Sequence, residues 1–213
     1  ATFRLVNSLF SKYGLIVFNP DDAHLKKMFL PALRRELFQG DTVSLLKPAI
    51  EKLAQFGYEA QAHVRPINLF YLQEGSRQRI EKSGDQWQVV GTTITFDKAS
   101  LELELSQHPE RFSPNVILRG LYQCTLLPDV AFVGGGSEIA YWLQFGNLFS
   151  EHKIPFPVLV LRNSFQLLDA ELVKKMAVLQ LQPTDFFQTI QEISNCLLTD
   201  KDLAAFSLQT QLE

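Results

Sequence analysis

The chain has 213 residues, enough for one α/β domain or a domain with an appendage, and is 46% hydrophobic and 20% charged. A net charge of −3, with cations scattered apart from Arg34-Arg35 and Arg77-Gln-Arg79, argues against a nucleic-acid surface. No apolar run reaches the about 18 residues of a membrane span, and no signal sequence opens the chain, so a cytoplasmic location with no membrane partner is expected.

Residues 3 to 12 carry Phe3, Val6, Leu9 and Phe10 at helical spacing, stopped by Gly14. Leu15 to Phe18 is an apolar run short enough for a buried strand. Asn19-Pro20-Asp21-Asp22 ends it and offers a cap to a helix from about Ala23 to Phe38. That helix is expected to turn Leu25, Met28, Phe29, Leu33 and Leu37 inward, with Pro31 kinking or splitting it. Another helix runs from Thr42 to Phe56 and is interrupted by Pro48.

From residue 59 to residue 92 the pattern changes. Glu59 to Val64, Asn68 to Gln73, Arg77 to Lys82 and Gln86 to Val90 are short β-type segments, and Glu74-Gly75 and Gly84-Asp85 suit hairpin turns. They predict a small, half-exposed antiparallel unit inserted into an otherwise alternating order. Asp97 caps a helix carrying Leu101, Leu103 and Leu105. After the polar turn Ser113-Pro114-Asn115, Val116 to Leu127 reads as a buried helix whose one cation, Arg119, needs a partner. Glu110 or Asp129 would serve, or else an anionic ligand.

Val130 to Val133 is a second buried-strand candidate, followed at once by Gly134, Gly135 and Gly136 and then by a helix for which Ser137 is the expected N-cap. Glu138 places a carboxylate in the first turn, where the helix dipole favours it. A strand, a glycine turn and a helix start can hold an anion on backbone N–H groups, although many such turns use glycine only for backbone freedom. Ile139 stands where a dinucleotide fingerprint needs glycine, and no Gly-Lys-Ser/Thr appears in the chain. Pro157 to Arg162 is the next strand, ending in Arg162, Asn163 and Ser164. A parallel pairing would set both strand ends on one rim, the usual ligand side of an α/β sheet. Asp169 to Gln180, Asp185 to Leu198 and Asp200 to Gln209 read as helices, with Thr184 and Asp200 as caps. Cys124 and Cys196 lie far apart in apolar contexts without metal spacing, as expected of buried, reduced thiols. The whole predicts a single α/β domain over residues 1–213, a three-layer Rossmann-like core with a mostly parallel sheet, an antiparallel insertion at 59–92 and helices over 169–211.

Seven strings in fixed order carry a resemblance: N-x-L-F-x-K-Y-G-L (Asn7 to Leu15), N-L-F-Y-L (Asn68 to Leu72), R-x-R-I (Arg77 to Ile80), H-P-E-R-F-S-P-N-V-x-L-R (His108 to Arg119), L-Y-Q (Leu121 to Gln123), L-P-D-V-A-F-V-G-G-x-x-E-I-A-Y-W-L-Q (Leu127 to Gln144) and P-V-L-V-x-R-N-S (Pro157 to Ser164). Together they closely resemble BshC, the cysteine ligase assigned to bacillithiol biosynthesis in bacteria. Members of that family are more than twice as long. The resemblance therefore implies a fragment of the Rossmann-like core that lacks its first part and a carboxyl-terminal coiled coil, and that is inactive alone. The abrupt start at Ala1 and the closing Leu212-Glu213 fit that expectation. Family members often have proline where this chain has Gly136.

The resemblance implies an amide-forming step joining L-cysteine to glucosaminyl-malate, with ATP and Mg expected from the reaction type and not from a motif. It implies no nucleic-acid or membrane partner, and a homodimer formed mainly through parts outside this chain. Glucosaminyl-malate carries carboxylates. Gly134, Gly135, Gly136 and Ser137 are expected to offer backbone N–H groups to it, with Arg119 and Arg162 as charge partners and Asn115, Asn163 and Ser164 completing the pocket. His63 is the acid–base candidate, although a loop histidine is more often an ordinary polar residue. The catalytic residues stay unassigned, and no metal ligand is expected. A ligand-binding or assembly module without catalysis is the alternative.

Overall fold

The computed structural model describes residues 2–198, and these fall into two compact units, residues 2–163 and residues 164–198. The expected helix from Asp200 to Gln209 lies outside the described residues.

The first unit opens with α1 (Thr2–Phe10), a 3-10 turn and Gly14 in the left-handed conformation. Leu15 to Phe18 form no strand, and Leu15 and Ile16 are exposed. A short apolar run specifies burial but not a ladder partner, and among the described residues none is supplied. Asp22 accepts the N–H groups of His24 and Leu25 and so caps α2 (Ala23–Met28). Pro31 does split the expected long helix, because it sits in the first turn of a separate α3 (Leu30–Phe38), where its missing N–H costs nothing. The break rotates the inward face. Met28 is 55% exposed, and the buried residue of α2 is Lys26, whose ammonium donates to the Phe112 carbonyl and lies 3.4 Å from Asp21. α4 (Thr42–Gln55) retains Pro48 inside it.

An antiparallel five-stranded sheet follows, in the order β4-β3-β2-β1-β5. Its strands are β1 (Leu69–Gln73), β2 (Ser76–Ser83), β3 (Gln86–Val89), β4 (Thr95–Phe96) and β5 (Phe112–Pro114). Glu59 to Val64 is coil and not a strand. Between β4 and β5 runs α5 (Lys98–Gln107), capped by Asp97, with Leu101 and Leu105 buried and Leu103 exposed. Then come α6 (Val116–Leu126), β6 (Ala131–Gly134), α7 (Gly136–Trp142), α8 (Gly146–Glu151) and β7 (Val158–Leu161). Among the described residues only β6 and β7 pair in parallel, with Gly134 opposite Leu161. Thus the sheet expected to be mostly parallel is mostly antiparallel in this chain. The parallel element is one β-helix-helix-β unit, much of whose apolar surface, including Val133, Val158 and Leu161, is exposed.

The core joins the two parts of this unit. Leu33, Leu37, Leu46, Leu69, Trp87, Leu101, Leu105, Phe112, Leu121, Trp142 and Phe149 belong to one buried cluster. The Trp87 indole donates to the Leu37 carbonyl, so its one polar atom is satisfied inside. Gly120 in α6 has a packing reason to lack a side chain: a Cβ there would lie 2.9 Å from the Trp142 ring.

The second unit holds α9 (Ala170–Val178), capped by Asp169, a 3-10 turn at Pro183–Phe187 and α10 (Ile190–Leu197). Thr184 lies inside the 3-10 turn, and the cap of α10 is Thr189, which pairs with Glu192 in a capping box. Cys196 is exposed, against the expectation of burial. Cys124 is buried, and burial, with the Asp129 carboxylate beside it, pushes its thiol up to about 12.

Candidate functional site

β5, α6 and α7 enclose a cleft of about 480 Å³, whose polar lining comes from Arg77, Asn115, Arg119, Gln123, Glu138 and Tyr141. Phe132 and Trp142, stacked with centroids 4.2 Å apart, form its apolar floor.

Arg77 reaches this cleft from the antiparallel sheet. Its guanidinium stands 3.7 Å above the Phe70 ring and donates to the Pro114 carbonyl at 3.0 Å. Two such restraints hold the cation in place with no carboxylate salt bridge among the described residues. Burial disfavours its charge, Asp21 opposes that loss, and the neighbouring Arg119 adds to it. A ligand anion would relieve the repulsion between the two guanidinium groups.

Arg119 stands one turn into α6 on its exposed face and not in the helix's buried interior. Neither expected partner meets it. Glu110 pairs with His108 at 3.1 Å, and Asp129 accepts from the Gln123 amide at 2.7 Å. Asn115 caps α6 through Oδ1, which accepts from Ile117 and Leu118 N–H, while its Nδ2 donates to Asn68 at 2.9 Å. Its polar atoms face the protein before they face a ligand. Tyr141 keeps its proton more firmly than a free phenol, because of burial first and the Glu138 carboxylate second.

The parallel register does place the ends of β6 and β7 on one rim, where Arg162 N–H donates to the Gly134 carbonyl at 2.8 Å. The N-cap of α7 is Gly135 and not Ser137. Its φ of −71° is an ordinary value, and positive φ is absent at all three glycines of the turn. The need for glycine is spatial: a Cβ at Gly135 would lie 2.9 Å from Arg162 Nη2. The Gly135 N–H already donates to Glu138 at 2.7 Å, and Arg162 Nε lies 3.9 Å from the same carboxylate oxygen. The anion that this turn holds is its own Glu138.

Gly136, Ser137, Arg162 and Asn163 are exposed and do not line the cleft. Ser164 belongs to the second unit and is exposed. His63 is exposed in a separate depression beside Ile50, Ala54 and Tyr58. The structure therefore gathers the expected residues into two groups, Asn115 and Arg119 in the cleft and the glycine turn with Arg162 on the rim, and Glu138 bridges them. Sequence reasoning missed Arg77 and Tyr141. Both stand in the family-like strings, but only the fold turns them toward Arg119. No cluster of three or more His, Cys, Asp or Glu that could hold a metal ion forms among the described residues, and no helix among them is long and apolar enough to cross a membrane.

The family model described as bacillithiol biosynthesis BshC, N-terminal Rossmann-like domain, matches residues 1–163. The chain belongs to the BshC family. A relative from Flavobacterium johnsoniae, named "Putative cysteine ligase BshC", is 41% identical over 197 residues, covering 92% of this chain and 37% of the relative. Relatives of the same name from Cytophaga hutchinsonii and Christiangramia forsetii are 42% identical over 159 residues and 37% identical over 195. These cover 75% and 92% of this chain but only 30% and 36% of the relatives. The chain thus spans about a third of the length of the curated relatives that it matches. The matched Rossmann-like domain ends at residue 163, where the first compact unit ends.

Proposed function

We propose that this chain supplies a substrate-binding wall of a BshC-type ligase, one that joins the L-cysteine carboxyl to the amine of glucosaminyl-malate as an amide. The observation that carries the reading is the pair Arg77 and Arg119 on one cleft, held near each other without a carboxylate salt bridge among the described residues. Two guanidinium groups over an apolar floor suit a small dicarboxylate such as the malyl group, with bidentate N–H donors facing planar oxygens. Glu138, held by Gly135 and Arg162, also lines the cleft and suits a ligand amine. The glycine turn and Arg162 then serve the site indirectly, by fixing Glu138.

Amide formation from a free carboxylate releases water and needs activation, for which ATP with Mg remains the proposed source in the whole protein. The glycine turn does not fit a triphosphate, since its Gly135 N–H is taken by Glu138, so no step is assigned to a nucleotide here. Homodimer formation and cytoplasmic location likewise remain proposals for the whole protein.

L-malate titrated into this chain and followed by calorimetry is expected to bind saturably. Arg119→Ala and Arg77→Ala are each expected to weaken it by about 10- to 100-fold, the scale of one charge-assisted contact. An absence of saturable binding, or full affinity in both variants, would overturn the placement. A second reading, a ligand-binding or assembly module without catalysis, draws on the exposed Val133, Val158 and Leu161. A sedimentation coefficient that rises with concentration, without malate binding, would favour it.

A further inference from the structure

Behind the cleft runs a buried polar chain that an apolar core would not need. Glu36 of α3 is buried, and its carboxylate accepts the Thr42 hydroxyl on one oxygen. On the other it accepts the Asn68 backbone N–H at 2.6 Å and the Asn68 side-chain amide at 2.8 Å. Asn68, fully buried just before β1, passes the grip onward. Its Oδ1 accepts from Arg65 N–H at 3.0 Å and from Asn115 Nδ2 at 2.9 Å, and its backbone carbonyl accepts Asn115 N–H at 3.0 Å. Asn115 in turn caps α6 through its side chain, and its carbonyl takes the Arg119 N–H at 2.9 Å. Glu36 thus connects to the first turn of α6, and so to Arg119, through one residue on each side of a sheet edge.

We propose that Glu36 and Asn68 are positioning residues of the cleft, which act through Asn115 to set the direction of the α6 N-terminus and of Arg119. The physical case rests on what each bond fixes. Capping alone needs only the Asn115 Oδ1, and serine or aspartate would supply it as well. The additional bonds from Asn115 N–H and Nδ2 to Asn68 fix the rotation of the cap about its own axis, which capping leaves free. Asn68 can offer both acceptors in that direction only while its own N–H and amide are held from behind; one Glu36 oxygen accepts from both, and the Arg65 carbonyl takes the second amide hydrogen at 2.7 Å. Burying a carboxylate is costly unless every lone pair in use is satisfied, and here three donors meet it. Such fully satisfied networks specify one geometry where apolar packing would tolerate several.

The proposal rests on the dicarboxylate reading of the cleft, and the test separates the two. The 213-residue chain is compared with its Asn115→Ser, Asn68→Ala, Glu36→Ala and Glu36→Gln variants and with the Asn115→Ser/Asn68→Ala double variant. Serine keeps the cap and removes the Nδ2 donor. Glutamine keeps an oxygen toward Asn68 and turns its amide toward the Thr42 hydroxyl. Two quantities are read on samples with matched near-ultraviolet dichroism: L-malate affinity by calorimetry, and residual dipolar couplings of the Ile117, Leu118 and Arg119 amides. Asn115→Ser is expected to shift the couplings and to weaken malate about fivefold, the scale of one internal hydrogen bond. Asn68→Ala is expected to add less than its own single effect in the Asn115→Ser background, as residues of one chain do. Glu36→Ala, which removes the oxygen that holds Asn68, is expected to shift the couplings and to weaken malate as Asn68→Ala does, and Glu36→Gln is expected to restore both; couplings unmoved in Glu36→Ala overturn the part assigned to Glu36. Couplings that stay unchanged in Asn115→Ser and Asn68→Ala overturn the proposal. Shifted couplings with undiminished malate affinity overturn it too, since the network would then be architectural alone. If the wild type binds no malate, the dicarboxylate reading falls, and unmoved or moved couplings alone decide whether Glu36 and Asn68 orient α6.

Discussion

A Cβ at Gly135 would sit 2.9 Å from Arg162 Nη2, whereas one at Gly136 meets nothing within 4 Å. Gly135 has φ −71° and ψ 170°, an extended conformation compatible with a following proline, and Gly136 is the first residue of α7. Gly136→Pro is therefore expected to be neutral or to stabilise the fold by about 0.5–1 kcal/mol, chiefly by restricting the unfolded chain. Gly135→Ala is expected to displace the exposed end of Arg162 from Glu138 and to destabilise by less than about 1 kcal/mol, since a flexible side chain moves and a loose surface pair is lost. Chemical denaturation of both variants checks the pair, and the reverse order of stabilities would remove the close-approach explanation. At this scale the sequence was readable where chemistry is local. Glu138 in a first turn and Asp97 before a helix are visible from their neighbours alone. Arg77 was not, because its role depends on which residue of β1 it faces.

Helices and strands differ in how much of their cause lies within them. α5 and α9 start at Asp97 and Asp169 as expected, since a cap bonds residues two or three positions onward. Leu15 to Phe18 read as a strand because apolar runs of four resemble one, yet a ladder needs a partner that this segment does not meet among the described residues. The mostly parallel sheet failed for the same reason. Short β segments announce themselves, but their pairing partners and directions are tertiary facts. The contact of α6 with α7 is likewise invisible in sequence, although it fixes the cleft floor. Gly120→Ala is expected to push the Trp142 ring off α6 and to cost about 1–3 kcal/mol, more than alanine's better helix propensity returns. A shifted tryptophan emission with a lower Tm would show it. An unchanged emission with a higher Tm would mean that propensity wins.

For the whole molecule, acidity separates two opposite contributions. Burial raises the Glu36 carboxyl pKa, against bonds from Thr42 and Asn68 that lower it. A group with a raised folded pKa contributes fully below its unfolded value of about 4.3, and that contribution is lost as pH rises through the folded value. Asp41 has the reverse sign. Its bonds with Arg35 hold its carboxyl below the usual range, so its contribution is present above about 3.9 and is lost as pH falls through the folded value. Glu36→Gln removes only the first. The Tm of the wild type minus that of Glu36→Gln is expected to be larger at pH 4 than at pH 8, and a difference that is flat across this range would mean that Glu36 titrates as it does unfolded.

The hairpin of β1 and β2 pairs Leu72 with Arg77, Tyr71 with Gln78 and Phe70 with Arg79. Alternate residues of a strand point to opposite faces, so Arg77 and Phe70 share the face that leads to the cleft, while Tyr71 is buried on the other. Sliding β2 by one position would carry the guanidinium through the sheet to the core side and leave an uncharged glutamine in its place. The turn at Glu74-Gly75, far from α6 in sequence, thereby sets the charge of the site. The antiparallel hairpin is a ruler for the cleft, and on the dicarboxylate reading its length in residues would matter to binding as much as the identity of Arg77 itself.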